Sequence, residues 1–141
     1  MKYVLDSNVA FKWLVPEKDT DKALLLRDDY NNGIHELLAP DILPIEVAHA
    51  LTRAERQKRI TPAQSAVLLK DMMRNVPKVH AYLPLLTRAY DISSLYRIGV
   101  YDCVYVALAE REKCTVVTGD DKLIKNLQTD FPFIVALATL P

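Results

Sequence analysis

Short apolar runs closed by turn residues alternate along this chain with stretches of helical spacing. Tyr3-Val4-Leu5 is a run with no helix former to compete, so Lys2 to Leu5 predicts a strand. His35 to Ala39, Val79 to Leu83, Thr115 to Thr118 and Phe133 to Leu137 predict four more. Between them the apolar positions fall three and four apart, as one face of a helix requires. Helices are expected over Asn8 to Leu14, stopped by Pro16, and over Thr20 to Tyr30, stopped by Asn32-Gly33. A longer one is expected from Asp41, as N-cap, to Arg59, with Ile45, Ala48, Leu51 and Thr52 in helical register. Thr61-Pro-Ala-Gln64 is a capping box with proline at the first helical position, opening a helix that ends near Val76. Leu85 to Ile98, closed by Gly99, and Asp120 to Gln128 complete the partly polar set. Tyr101 to Lys113 differs, being apolar almost all round, which predicts a buried helix.

Strands alternating with helices, without repeats or linkers, predict an α/β fold. The expected architecture is a three-layer α/β/α sandwich on a central, mostly parallel sheet, built as a single domain over residues 1–141. Ligands in such sheets bind beyond the carboxyl ends of the strands, where the strand order switches. Asp6 stands at that end of the first strand.

Composition narrows the functional classes. Lys plus Arg is 18 and Asp plus Glu is 18, so net charge is zero and no global field draws nucleic acid or an anionic membrane. A phosphate-binding surface must then be local. Arg53, Arg56, Lys58 and Arg59 are the candidate, either as contacts to backbone phosphates or as the solvated end of a helix. No apolar run approaches the ~18 residues of a membrane span, and Asp6 interrupts the N-terminal apolar stretch too early for a signal peptide. Cys103 and Cys114, if on one helix, stand about 16 Å apart, beyond disulfide reach. They are expected as free thiols in a reducing, cytoplasmic setting.

Four acids carry the candidate chemistry. Asp6 and Asp120 follow strands. Asp102 lies in the first turn of the apolar helix, and Glu46 lies among Ile45, Val47 and Ala48. Each has an ordinary explanation: Asp120 as N-cap, Asp102 as a first-turn acid favoured by the helix dipole, Asp6 as a lysine's partner. Unpaired carboxylates in apolar surroundings are costly, however. A shared divalent cation, Mg²⁺ or Mn²⁺ with oxygen ligands, explains all four together.

The segments Val4-Leu-Asp-Ser-Asn-Val9, Pro44-Ile-Glu-Val-Ala-His-Ala-Leu51, Tyr101-Asp-Cys-Val-Tyr-Val-Ala-Leu-Ala109 and Val117-Thr-Gly-Asp-Asp-Lys-Leu123 occur in that order. In this the chain resembles the PIN-domain ribonucleases, most closely the VapC-like toxins of toxin–antitoxin pairs. The resemblance implies a metal-dependent endoribonuclease with Asp6, Glu46, Asp102 and Asp120 at the metal, and with Asn8 and Thr118 in support. Ser7 stands where the family often has threonine, a mild departure. Glu46 is either a ligand of a second ion or a base for the attacking water. The resemblance further implies an RNA substrate cut to a 5′-phosphate and a 3′-hydroxyl, a cognate antitoxin that covers the site, and a homodimer.

Rival readings fit less well. Glu46 and His49 form one Glu-x-x-His, whereas a di-iron bundle needs two. His35, His49 and His80 lack zinc spacing. A phosphoacceptor receiver domain has paired acids after its first strand, but here the pair Asp120-Asp121 comes near the end. A phosphatase with a nucleophilic aspartate wants a second Asp where Asn8 stands. The non-enzymatic alternative is a PIN-like module that only binds a partner, against which stands the presence of all four acids. Trp13 is expected in the core or a partner interface.

Overall fold

The computed structural model describes residues 1–141. Five strands form one sheet: β1 (Lys2–Leu5), β2 (Glu36–Pro40), β3 (Lys78–His80), β4 (Thr115–Thr118) and β5 (Ile134–Ala136). Their order is β3-β2-β1-β4-β5 and every pairing is parallel, so the sheet is wholly rather than mostly parallel. In the central strands Val4, Leu5, Leu37 and Val117 are fully buried, as continuous apolar runs covered on both faces should be. The strand order switches between β1 and β4, where Leu5 lies opposite Val117.

Seven helices connect the strands: α1 (Ser7–Lys12), α2 (Thr20–Asn31), α3 (Leu43–Arg56), α4 (Pro62–Arg74), α5 (Leu86–Tyr96), α6 (Val100–Glu112) and α7 (Asp121–Leu127). α1 packs on α2 and α3, and α3 on α4, while α5 packs on α6 and α7 on β4 and β5. α6 packs on β1, β2 and β4 beneath α5, and Cys103 through Ala109 are all buried. Its apolar circumference is therefore a consequence of being covered all round. No helix is long and apolar enough to cross a membrane.

Several boundaries differ from expectation, each for a local reason. Asp41 does not cap α3: its Oδ1 accepts from the Tyr82 amide at 3.0 Å, and Ile42 occupies the N-cap position. α3 ends at Arg56 because Lys58 turns left-handed at φ 59°. The face α3 buries is Leu43, Val47, Leu51 and Ala54, while Ile45 is 67% exposed, so the expected apolar register was rotated. α5 is closed by Arg97 at φ 59°, and Gly99 instead opens α6 as its N-cap. Lys78–His80 is shorter than the strand expected there, and Leu83–Leu85 is a single 3₁₀ turn leading into α5. Cys114 lies beyond the end of α6, and both cysteines are free. The capping box at Thr61 is formed in full: Gln64 N donates to Thr61 Oγ1 at 3.1 Å and Thr61 N to Gln64 Oε1 at 2.9 Å. Trp13 is a core residue, its indole donating to the Ala23 carbonyl at 2.8 Å.

Candidate active site

β1 and β4 end side by side, and their last residues begin the site. Asp6 holds the N-cap position of α1 yet makes no capping bond. Its Oδ2 instead accepts from Thr118 Oγ1 at 2.8 Å and from Asn8 Nδ2 at 3.2 Å. Asn8 also accepts the Gly119 amide at 2.8 Å, and Thr118 Oγ1 accepts the Asp120 amide at 3.0 Å. The two strand ends are thus tied by a closed set of side-chain bonds that fixes one oxygen of Asp6. Gly119 leaves little room: a Cβ there would stand 3.1 Å from Lys12 Cε and 3.3 Å from Asn8 Oδ1, contacts those side chains would have to ease by a few tenths of an ångström.

The other acids arrive from three helices. Asp102 is in the first turn of α6 and Glu46 in that of α3, both partly buried. Asp120 caps α7, its Oδ1 accepting from Lys122 N at 2.9 Å and Leu123 N at 3.3 Å. The ordinary N-cap explanation of Asp120 therefore holds, and it coexists with a second placement, since Asp120 also presses on Asp102 electrostatically. Asp121, in the first turn of α7, is exposed.

The mutual effects of these charges show how the cluster is wired. Burial, then the charges of Asp102 and Glu46, push the Asp6 carboxyl up to about 7 against the bonding from Thr118. Burial and then Asp120 raise Asp102, while Lys122 offsets part of this. Burial raises Glu46, the hydrogen bond from Tyr105 lowers it, and Asp102 raises it again. None of the four acids is in an ion pair. The structure thus brings all four sequence-predicted acids into one electrostatic unit, with Asn8 and Thr118 bonded to Asp6.

Oxygen donors without a cationic partner are the chemistry a hard divalent ion wants. The side chains as they stand do not converge three at a time on one ligand position.

A family model, the PIN domain, matches residues 3–127. The chain belongs to the PIN-domain family. Among its relatives, Ribonuclease VapC3 of Pyrobaculum aerophilum is 28% identical over 96% of this chain and 98% of its own. Ribonuclease VapC1 of Mycobacterium tuberculosis is 31% identical over 72% of this chain and 74% of its own. The fold is shared with the crystal structure of PAE2754 from Pyrobaculum aerophilum, at a TM-score of 0.70 and 19% identity over 99% of this chain and 94% of that one. It is shared too with VapBC2 from Rickettsia felis, solved bound to a DNA fragment from its promoter, at 0.65 and 16% over 96% and 97%.

Sequence reasoning missed two residues of this PIN-domain centre. Tyr105, fully buried on α6, donates to Glu46 Oε1 at 2.7 Å and fixes that side chain. Its place in an apolar helix disguised it as core, and only its hydroxyl, which a buried tyrosine must satisfy, was a signal. Lys122 was legible only as a surface lysine, and it supplies the one positive charge that offsets Asp102. His49 lines the cleft beside Glu46, whereas His35 faces Asp29 and His80 faces Arg111.

Proposed function

We propose that the protein is a metal-dependent endoribonuclease, the toxin member of a toxin–antitoxin pair. The observation that carries this reading is the four carboxylates set against one another at the carboxyl ends of β1 and β4, none of them in an ion pair. The ribonuclease names of the curated relatives support it from outside the chain.

Asp6, Asp102, Asp120 and Glu46 would hold Mg²⁺ or Mn²⁺. When bound, such an ion supplies positive charge to the phosphoryl oxygens and makes a water acidic enough to attack phosphorus. The chain's residues do the rest. Asn8 and Thr118 anchor Asp6 through Oδ2, so it presents a fixed carboxylate. Asp120 keeps Oδ1 on the α7 amides and has Oδ2 for the cation. Tyr105 orients Glu46, whose raised pKa suits either proton acceptance from the water or charge sharing with a second ion. In-line attack by water with the 3′ oxygen as leaving group breaks the P–O3′ bond and leaves a 5′-phosphate and a 3′-hydroxyl, the products this reading expects.

A cognate antitoxin would cover this centre, as expected for a nuclease harmful to its own cell, and the VapBC2 likeness is consistent with such a partner. A homodimer belongs to the same reading, supported by the exposed Leu83, Tyr90 and Leu95 on and before α5. Sedimentation velocity tests that part. The function itself is tested by incubating the purified protein with end-labelled RNA. Cleavage with Mn²⁺ or Mg²⁺ that stops in EDTA is expected. Cleavage undiminished by EDTA, or none with any divalent ion while metal and antitoxin still bind, contradicts it; the latter result identifies a binding module.

A further inference from the structure

Two clefts meet at Ser7, and they differ in character. The larger, about 700 Å³, has Ile45, Glu46, His49 and Tyr101 on its walls. The smaller, about 350 Å³, is lined by Arg53, Gln57, Arg59 and the acidic Glu17 beside Asn8 and Phe11. α3 runs along both: Glu46 faces the first, and Arg53, seven residues on and about 10 Å farther along the axis, faces the second.

The smaller cleft is positive. The Arg53 side chain enters no hydrogen bond and no ion pair, although its guanidinium carries five donors. The Arg59 guanidinium lies 5.9 Å from the centre of the Phe11 ring and 3.1 Å from Glu17, which also faces Lys12 at 3.5 Å. Within the lining, one carboxylate, Glu17, stands against Arg53 and Arg59, which leaves one positive charge in excess. Arg56 and Lys58 line neither cleft, and Arg56 turns back to Thr52 at 3.4 Å. Of the basic run on α3 and after it, only half faces the site. The larger cleft offers the opposite kind of surface. Tyr101 at its rim is 60% exposed and Ile45 67%, an aromatic face and an aliphatic neighbour with no partner in the chain.

We propose that single-stranded RNA crosses Ser7, with a backbone phosphate held by Arg53 and Arg59 in the small cleft and a base stacked on Tyr101 at the rim of the large one. The inference rests on the ribonuclease reading and deepens it. Guanidinium forks match phosphate oxygens, and unstacked bases settle on aromatic faces whatever their identity. The carboxylates repel a phosphate until a cation joins them, so a positive cleft next door supplies attraction that the centre lacks. A splayed single strand can reach both walls at once, whereas a duplex hides its bases.

The test is binding of a short fluorescein-labelled single-stranded RNA by anisotropy, in EDTA, between about 50 and 200 mM salt. Arg53→Gln should reduce the slope of log affinity against log salt by about 0.7, the share of one phosphate on a single strand. Tyr101→Ala should weaken binding about tenfold with the slope unchanged, and Tyr101→Phe should bind as the parent does. Arg74→Gln, on the outer helix α4, is the control and should change nothing. Mn²⁺ titration and thermal melting of all four variants should match the parent, showing the centre and the fold intact. An unchanged slope for Arg53→Gln, or unchanged affinity for Tyr101→Ala, in a protein that still cuts RNA, overturns this path and leaves the ribonuclease reading standing. Absence of both RNA binding and metal-dependent cleavage in the parent overturns the two together.

Discussion

Asp6 shows what the fold does to a single carboxyl group. An aspartate at an N-cap ordinarily bonds the helix amides. Asp6 bonds Thr118 and Asn8 across the sheet instead and is only 2% exposed. Its pKa of about 7 exceeds the ~3.9 of an unfolded aspartate, so between those values the native state binds the extra proton. Stability of the metal-free protein is then fully present below about pH 4 as far as this group is concerned, and is lost as pH rises through 7. Urea melts in EDTA should show the parent weaker at pH 8 than at pH 5.5 by an amount on the order of a few kcal/mol, and Asp6→Asn should flatten that difference. A parent whose stability rises steadily over this range would contradict the placement of Asp6. The same scale separates Asp120 from Asp121. Asparagine caps a helix as well as aspartate does, so Asp120→Asn keeps the bonds to Lys122 N and Leu123 N and removes only the charge. It should lower cleavage on the order of a hundredfold with little change in melting temperature, while Asp121→Asn costs a few-fold at most. Cleavage rates of the two variants check this, and the reverse order would move the ligand by one residue.

At the scale of elements, what was legible was what is local. The Thr61 capping box can be read from four consecutive residues, and the structure forms both of its bonds. Thr61→Ala should lower stability by about 1 kcal/mol, seen as a fall of a few degrees in melting temperature, and no change would mean that the α4 start contributes nothing to the folded state. β4, with Thr118 as its last residue, was equally plain from its apolar run and following glycine. Where sequence reading failed, a distant group had intervened. Asp41 was taken from α3 by the Tyr82 amide, a partner forty-one residues away. The stop expected at Gly99 fell to Arg97, whose left-handed turn is not encoded by residue type. In the rotated register of α3, Ile45, Ala48 and Thr52 line the open cleft rather than the core. The four acids were legible because each sits at an element's end, which spacing can locate. Tyr105 and the division between Arg53 and Arg56 depend on which way a helix faces, and spacing alone does not decide that.

For the whole molecule, zero net charge conceals a local separation between the carboxylates beyond β1 and β4 and the cleft that Arg53 and Arg59 line. A divalent ion is the natural complement of the first. Ligand carboxylates must be deprotonated, so an ion held here would bind more tightly as pH rises through the Asp6 value of about 7. Ion at about a hundred times its dissociation constant adds about 2.7 kcal/mol of stability. Mn²⁺ should therefore raise the melting temperature more at pH 8 than at pH 6, and calorimetric scans of parent and Asp102→Asn, which should lose the effect, would show it. An equal shift at both pH values, or one retained by the variant, would place the ion elsewhere. The most direct measurement is anomalous diffraction from a crystal soaked in Mn²⁺, recorded at the manganese edge. The account predicts a peak at the carboxyl ends of β1 and β4, about 2.1 Å from oxygens of Asp6 and Asp102, with Asp120 or Glu46 completing the protein ligands. A crystal saturated with Mn²⁺ that shows no peak among these carboxylates would contradict it.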